Sequence, residues 1–103
     1  MRRTPVIAPT IGAMLILSAC SSGLSLDEHA ACTGIDQWIA GGHDAGSFDR
    51  FASRAVTNVS DSEHEALVAA AGALAQASEA DRPGLAAEFM AICNDLGWEP
   101  PEG

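Results

Sequence analysis

The chain has 103 residues, 14 acidic side chains, five Lys or Arg and a formal charge of −9. That length makes one small domain with a modest core. Its charge repels phosphate backbones and argues against nucleic-acid binding.

The chain opens basic, then apolar. Arg2 and Arg3 precede an apolar run from Val6 to Leu17, softened by Pro9, Thr10 and Gly12. A positive start followed by a short apolar core is the design of an export leader. The strongly apolar part is about a dozen residues, short of the roughly 20 that a spanning helix needs. Leu17-Ser18-Ala19-Cys20 follows.

This four-residue stretch resembles the lipobox of bacterial lipoproteins. The resemblance implies a diacylglyceryl (palmitate-type) group on the Cys20 thiol and cleavage of the Ala19–Cys20 bond by a dedicated signal peptidase. It also implies a protein held on the extracytoplasmic face of the cell membrane. Residues 1–19 are then a signal peptide and 20–25 a lipidated tether. The competing readings are an uncleaved apolar anchor, a secretory leader with an incidental cysteine, and Cys20 as a disulfide partner.

Cleavage leaves the 14 acids against Arg50, Arg54 and Arg82, a side-chain balance of −11. Anionic headgroups repel such a domain, so the lipid must do the anchoring. A basic envelope protein is the kind of partner that this charge attracts. With Cys20 assigned to lipid, Cys32 and Cys93 form an even pair in an exported domain. Such a pair reads as one disulfide.

Ser25-Leu26-Asp27-Glu28 reads as a capping box, in which Ser25 and Glu28 satisfy each other's backbone N–H groups. It predicts a first helix over Leu26–Ala40, ended by Gly41-Gly42. Cys32, Ile35 and Ile39 share its apolar stripe, with Ala31 and Trp38 beside it. Ser47 is the expected N-cap of a second helix, with Asp49 in its first turn. Phe48, Phe51, Ala52, Ala55 and Val59 give that helix an apolar side.

Ser60-Asp61-Ser62-Glu63 repeats the capping-box pattern and predicts a third helix over Asp61–Ala80. Leu67, Ala70, Ala71 and Leu74 point inward. Asp81-Arg82-Pro83-Gly84 opens a fourth helix, with Pro83 in its first turn. Leu85, Phe89, Ile92, Cys93 and Leu96 form its expected stripe. Gly97 and Trp98 fit the two positions beyond its end. Glu99-Pro100-Pro101-Glu102-Gly103 reads as an extended tail.

The expectation is an all-α, up-and-down bundle of three to four helices spanning residues 26–98. Cys32 and Cys93 fall on core stripes at matching levels of antiparallel neighbours, so one inter-helix disulfide fits.

The sequence carries no nucleophile, phosphate-binding or paired-carboxylate motif, and no catalytic residue is assigned. His29, His43 and His64 lie among acids, but their spacing makes poor chelates, so no metal or cofactor is expected. Trp38 is either a core-edge side chain or a half-exposed protein contact. The expected role is a non-catalytic interaction or accessory protein of the cell envelope. The alternative is a small ligand- or cation-binding module built from the acidic and His clusters.

Overall fold

The computed structural model describes residues 23–100. The expected leader and the expected lipid-bearing Cys20 lie outside the described residues, as do residues 101–103. Four helices follow one another: α1 (Leu26–Ala40), α2 (Ala45–Val59), α3 (Glu65–Ala75) and α4 (Arg82–Asp95). No strand occurs among the described residues. Each helix packs on the next, and α4 closes the ring on α1. The connections are short, which makes sequential helices antiparallel neighbours.

The expected disulfide is present. Cys32 on α1 and Cys93 on α4 are bonded across 61 positions of sequence, with Cα atoms 6.1 Å apart. Both are fully buried. Around them lie Ile35, Trp38, Phe48, Val59, Leu67, Leu74, Phe89 and Trp98. Alanines 31, 52, 55, 71 and 86 are buried as well. Their small side chains let the helices approach closely.

Helix ends follow local chemistry. The Ser25 hydroxyl accepts from the Glu28 N–H at 3.1 Å, and the Ser25 N–H donates to Glu28 Oε1 at 2.8 Å. This is the capping box that the sequence predicts, and α1 has the predicted bounds. Beyond α1, Gly42 has a φ of +89°. Its N–H bonds Ile39 O, and the His43 N–H bonds Trp38 O. That pair of bonds defines a Schellman end. The end of α4 repeats it: Gly97 has a φ of +102°, the Gly97 N–H bonds Asn94 O, and the Trp98 N–H bonds Cys93 O.

The second and third helices depart from expectation. α2 begins at Ala45 after Asp44, so Ser47 lies inside the first turn and is not the cap. The Ser47 hydroxyl points back to Asp44 O at 3.3 Å, and Asp49 falls beyond the first turn. α3 is four residues shorter at its start and five at its end than predicted. The second capping box does not form. The Ser60 hydroxyl donates to Thr57 O at 2.8 Å, closing α2, and the Ser62 hydroxyl accepts from the His64 N–H at 2.9 Å. A 3₁₀ turn over Glu79–Asp81 replaces the expected last turn of α3.

The buried stripe of α4 is also turned. Ala86, Phe89, Met90 and Cys93 face inward, while Leu85, Ile92 and Leu96 are only partly buried.

Candidate functional site

The polar feature with the most built-in order lies where the chain enters the bundle. Gly23, Ser25, Asp27 and Glu28 at the start of α1 meet Asn58, Asp61, Ser62, Glu63 and His64 between α2 and α3. Together they line a groove of about 550 Å³. The His64 ring crosses it. His64 Nε2 lies 2.7 Å from Gly23 O. A carbonyl can only accept, so Nε2 carries the proton and donates. This bond joins residues 41 positions apart and fixes the incoming chain to the start of α3. Leu24 packs against the core edge. The part of the expected tether that is described, residues 23–25, is thus folded down onto the bundle.

Glu28 is the anchor of this arrangement. It is only 5% exposed, the one buried charged residue among those described. Burial alone pushes its carboxyl pKa up. Hydrogen bonds from the Ser62 hydroxyl, the Ser25 N–H and the Ser25 hydroxyl, with His64 nearby, outweigh this and lower it below 4.5. A lowered pKa means that the carboxylate contributes stability above the ordinary carboxylate range, and that this is lost as pH falls through the folded value. Glu28→Gln is therefore expected to lower the urea midpoint at pH 7 and to match wild type at about pH 2. Glu28→Ala should cost about 1 kcal/mol through loss of the cap alone. An equal gap between wild type and Glu28→Gln at both pH values would contradict this.

The histidines do not converge. His29 lies on α1, its Nδ1 3.5 Å from the Thr33 hydroxyl, with its ring 6.4 Å from that of Trp98. His43 sits at the other end of α1 in the left-handed region, φ +61°, edge-on to Trp38 at 4.8 Å. Among the described residues, no group of three or more His, Cys, Asp or Glu is arranged to hold a metal ion. None of their helices is long and apolar enough to cross a membrane.

Trp38 corrects one reading. It is 2% exposed and is no protein contact on the surface. Its Nε1–H donates to Asp44 O at 2.8 Å, and its ring meets Phe48 at 5.1 Å. The left-handed turn at residues 42–43 brings that carbonyl and that ring to it. Trp98 is the helix-end plug that the sequence predicts: it is 5% exposed, and its Nε1–H donates to the Thr33 hydroxyl at 3.2 Å.

Sequence reasoning found Ser25 and Glu28 as a cap but missed Ser62 and His64 beside Glu28, and the bond from His64 to Gly23 O. No local signal encodes that meeting, because it joins segments about 35 to 40 positions apart.

These features define the class: a small four-helix bundle, stapled between its first and last helices, with its entry segment held in a polar groove. No family model matches the chain, and comparison with curated proteins and with solved structures finds no match.

Proposed function

We propose that this chain is a membrane-anchored extracytoplasmic lipoprotein that acts by protein contact in the cell envelope, without catalysis. The observation that carries the reading is Leu17-Ser18-Ala19-Cys20 at the end of a basic-apolar leader, followed at once by a disulfide-bonded domain. A disulfide is at home in an oxidising compartment outside the cytoplasm. Two acyl chains suffice for stable attachment where one is marginal. The folded entry segment supports the reading too. Gly23, held by His64, lies three positions after Cys20, so the domain stands close to its anchor. The charge of −11 after cleavage makes a basic surface of another envelope protein the partner that fits.

Detergent-phase partitioning tests the anchor. Wild type is expected in the detergent phase and Cys20→Ala mainly in the aqueous phase, with metabolic palmitate labelling of wild type alone. Equal aqueous partitioning of both would sink the reading. For the partner, crosslinking in native membranes with mass spectrometry is expected to recover a basic protein, lost on charge reversal of Asp61, Glu63 and Glu65 together, before and at the start of α3.

A further inference from the structure

We propose that the α1–α2 face seats on the lipid bilayer, with Leu26 among the acyl chains and Arg50 and Arg54 against lipid phosphates. This rests on the anchoring reading above. Leu26 is 90% exposed, against 37% for Val56 and Val68, the other exposed large apolar residues among those described. A leucine so bare at the first position of a helix serves neither the core nor the cap.

It does not stand alone. Leu26 opens a groove of about 470 Å³ between α1 and α2, lined also by Ala30, Gly34 and Phe51, with His29 and Arg54 at its sides. Arg54 also borders the adjoining surface hollow, with Arg50, Asp49, Ser53 and Thr57. Arg50 is held over the Phe51 ring, its Cζ 5.0 Å from the centroid. Of the acids among the described residues, only Asp49 lines either hollow. Two of the three arginines that follow Cys20 therefore share one face with the most exposed leucine among the described residues. The remainder of the domain carries the acid excess. The face is complementary to phosphates over an apolar layer, as interfacial protein surfaces are.

The leash decides which occupant comes first. Gly23 is fixed by His64, and Cys20 is three positions upstream, within about 11 Å of fully extended chain. Leu26 is three positions downstream. Acyl chains on Cys20 thus hold the bilayer within reach of Leu26 at all times, at a high effective concentration. The alternative pose stands the bundle on its entry end. That end presents Asp27, Asp61 and Glu63, which anionic headgroups repel. Lying on the α1–α2 face brings Arg50 and Arg54, rather than that acidic end, against the headgroups.

Hydroxyl-radical footprinting of the full acylated protein tests the seating. It is reconstituted in phosphatidylcholine vesicles containing phosphatidylglycerol, with labelling of Leu26 read against Val68 in the same molecule. Away from a membrane, Leu26 should be labelled at least twice as heavily. Seated, the ratio should invert to about one half or less. Arg50→Glu with Arg54→Glu should restore it while the protein stays on the vesicles. A wild type that stays on the vesicles with Leu26 still the more labelled overturns the seating alone. A protein that does not stay on the vesicles overturns anchoring and seating together. An inversion that vanishes on hundredfold dilution into lipid identifies a second copy as the occupant and overturns the proposal. An inversion that persists in the double variant overturns the role of the arginines.

Discussion

Replacing Cys32 and Cys93 together by alanine is expected to destabilise the domain by roughly 4 kcal/mol, the chain-entropy value for a closed loop of this length. Alanine is the right probe, because both thiols are fully buried and serine would leave hydroxyls without partners. For a domain of this size, that loss corresponds to a fall in Tm on the order of 20 °C. The effect should be large because a core of this size is marginal. It should also be undiminished by location. The staple ties the first helix to the last, so it limits the unfolded chain over most of the domain. Thermal melts followed by circular dichroism decide the matter. A drop below about 5 °C would mean that the bundle is held by packing alone. Thiol counting under denaturing, non-reducing conditions should find no free thiol at Cys32 or Cys93 in protein recovered from an oxidising compartment.

The same bond marks how far the sequence could be read. The pairing of Cys32 with Cys93 was legible because both lie on apolar stripes of helices whose topology is fixed by short loops. The bounds of α1 were legible because Ser25 and Glu28 are local partners. The start of α3 was not. Ser60-Asp61-Ser62-Glu63 has the same spacing as Ser25-Leu26-Asp27-Glu28, yet its hydroxyls are engaged elsewhere. Ser60 closes α2, and Ser62 serves Glu28 and the His64 N–H. Tertiary placement overrode a local motif.

The stripe of α4 failed for a different reason. Bulk suggested Leu85, Ile92 and Leu96, but the disulfide fixes Cys93 inward and Ala86 and Met90 share its side. A small residue at a close helix approach is as buried as a large one, and apolar size alone does not reveal it.

Burial of Glu28 was hidden as well. A charged residue in a first turn normally faces water. Here it is enclosed by a loop that is about 35 positions away in sequence, which compensates it with hydrogen bonds. The groove at the entry end is thus built in part from contacts that only the fold brings together. The leader and Cys20, by contrast, are read from sequence alone.

The other end of the bundle yields the second large effect. Phe48→Ala is expected to cost about 3–5 kcal/mol, the usual range for removing a buried phenyl ring. Phe48 is 1% exposed and meets the Trp38 ring at 5.1 Å and 64°. The Arg82 guanidinium lies over its other partner surface, with Cζ 3.9 Å from the ring centroid. Arg82 Nε is buried there without a hydrogen-bond partner, so the ring is its main compensation. Truncating Phe48 removes three things together: the buried ring, its aromatic pair with Trp38, and the platform for Arg82. The terms share atoms and will not add. Arg82→Ala alone loses the stack but also removes the orphaned donor, and should cost at most about 1 kcal/mol. In the Phe48→Ala background, the Arg82→Ala change should therefore be close to neutral or stabilising. Urea titrations of the two single variants and the double variant measure this coupling. An Arg82→Ala cost that is the same in both backgrounds would show that the guanidinium draws its stability from elsewhere. A Phe48→Ala midpoint close to wild type would remove this end of the bundle from the core.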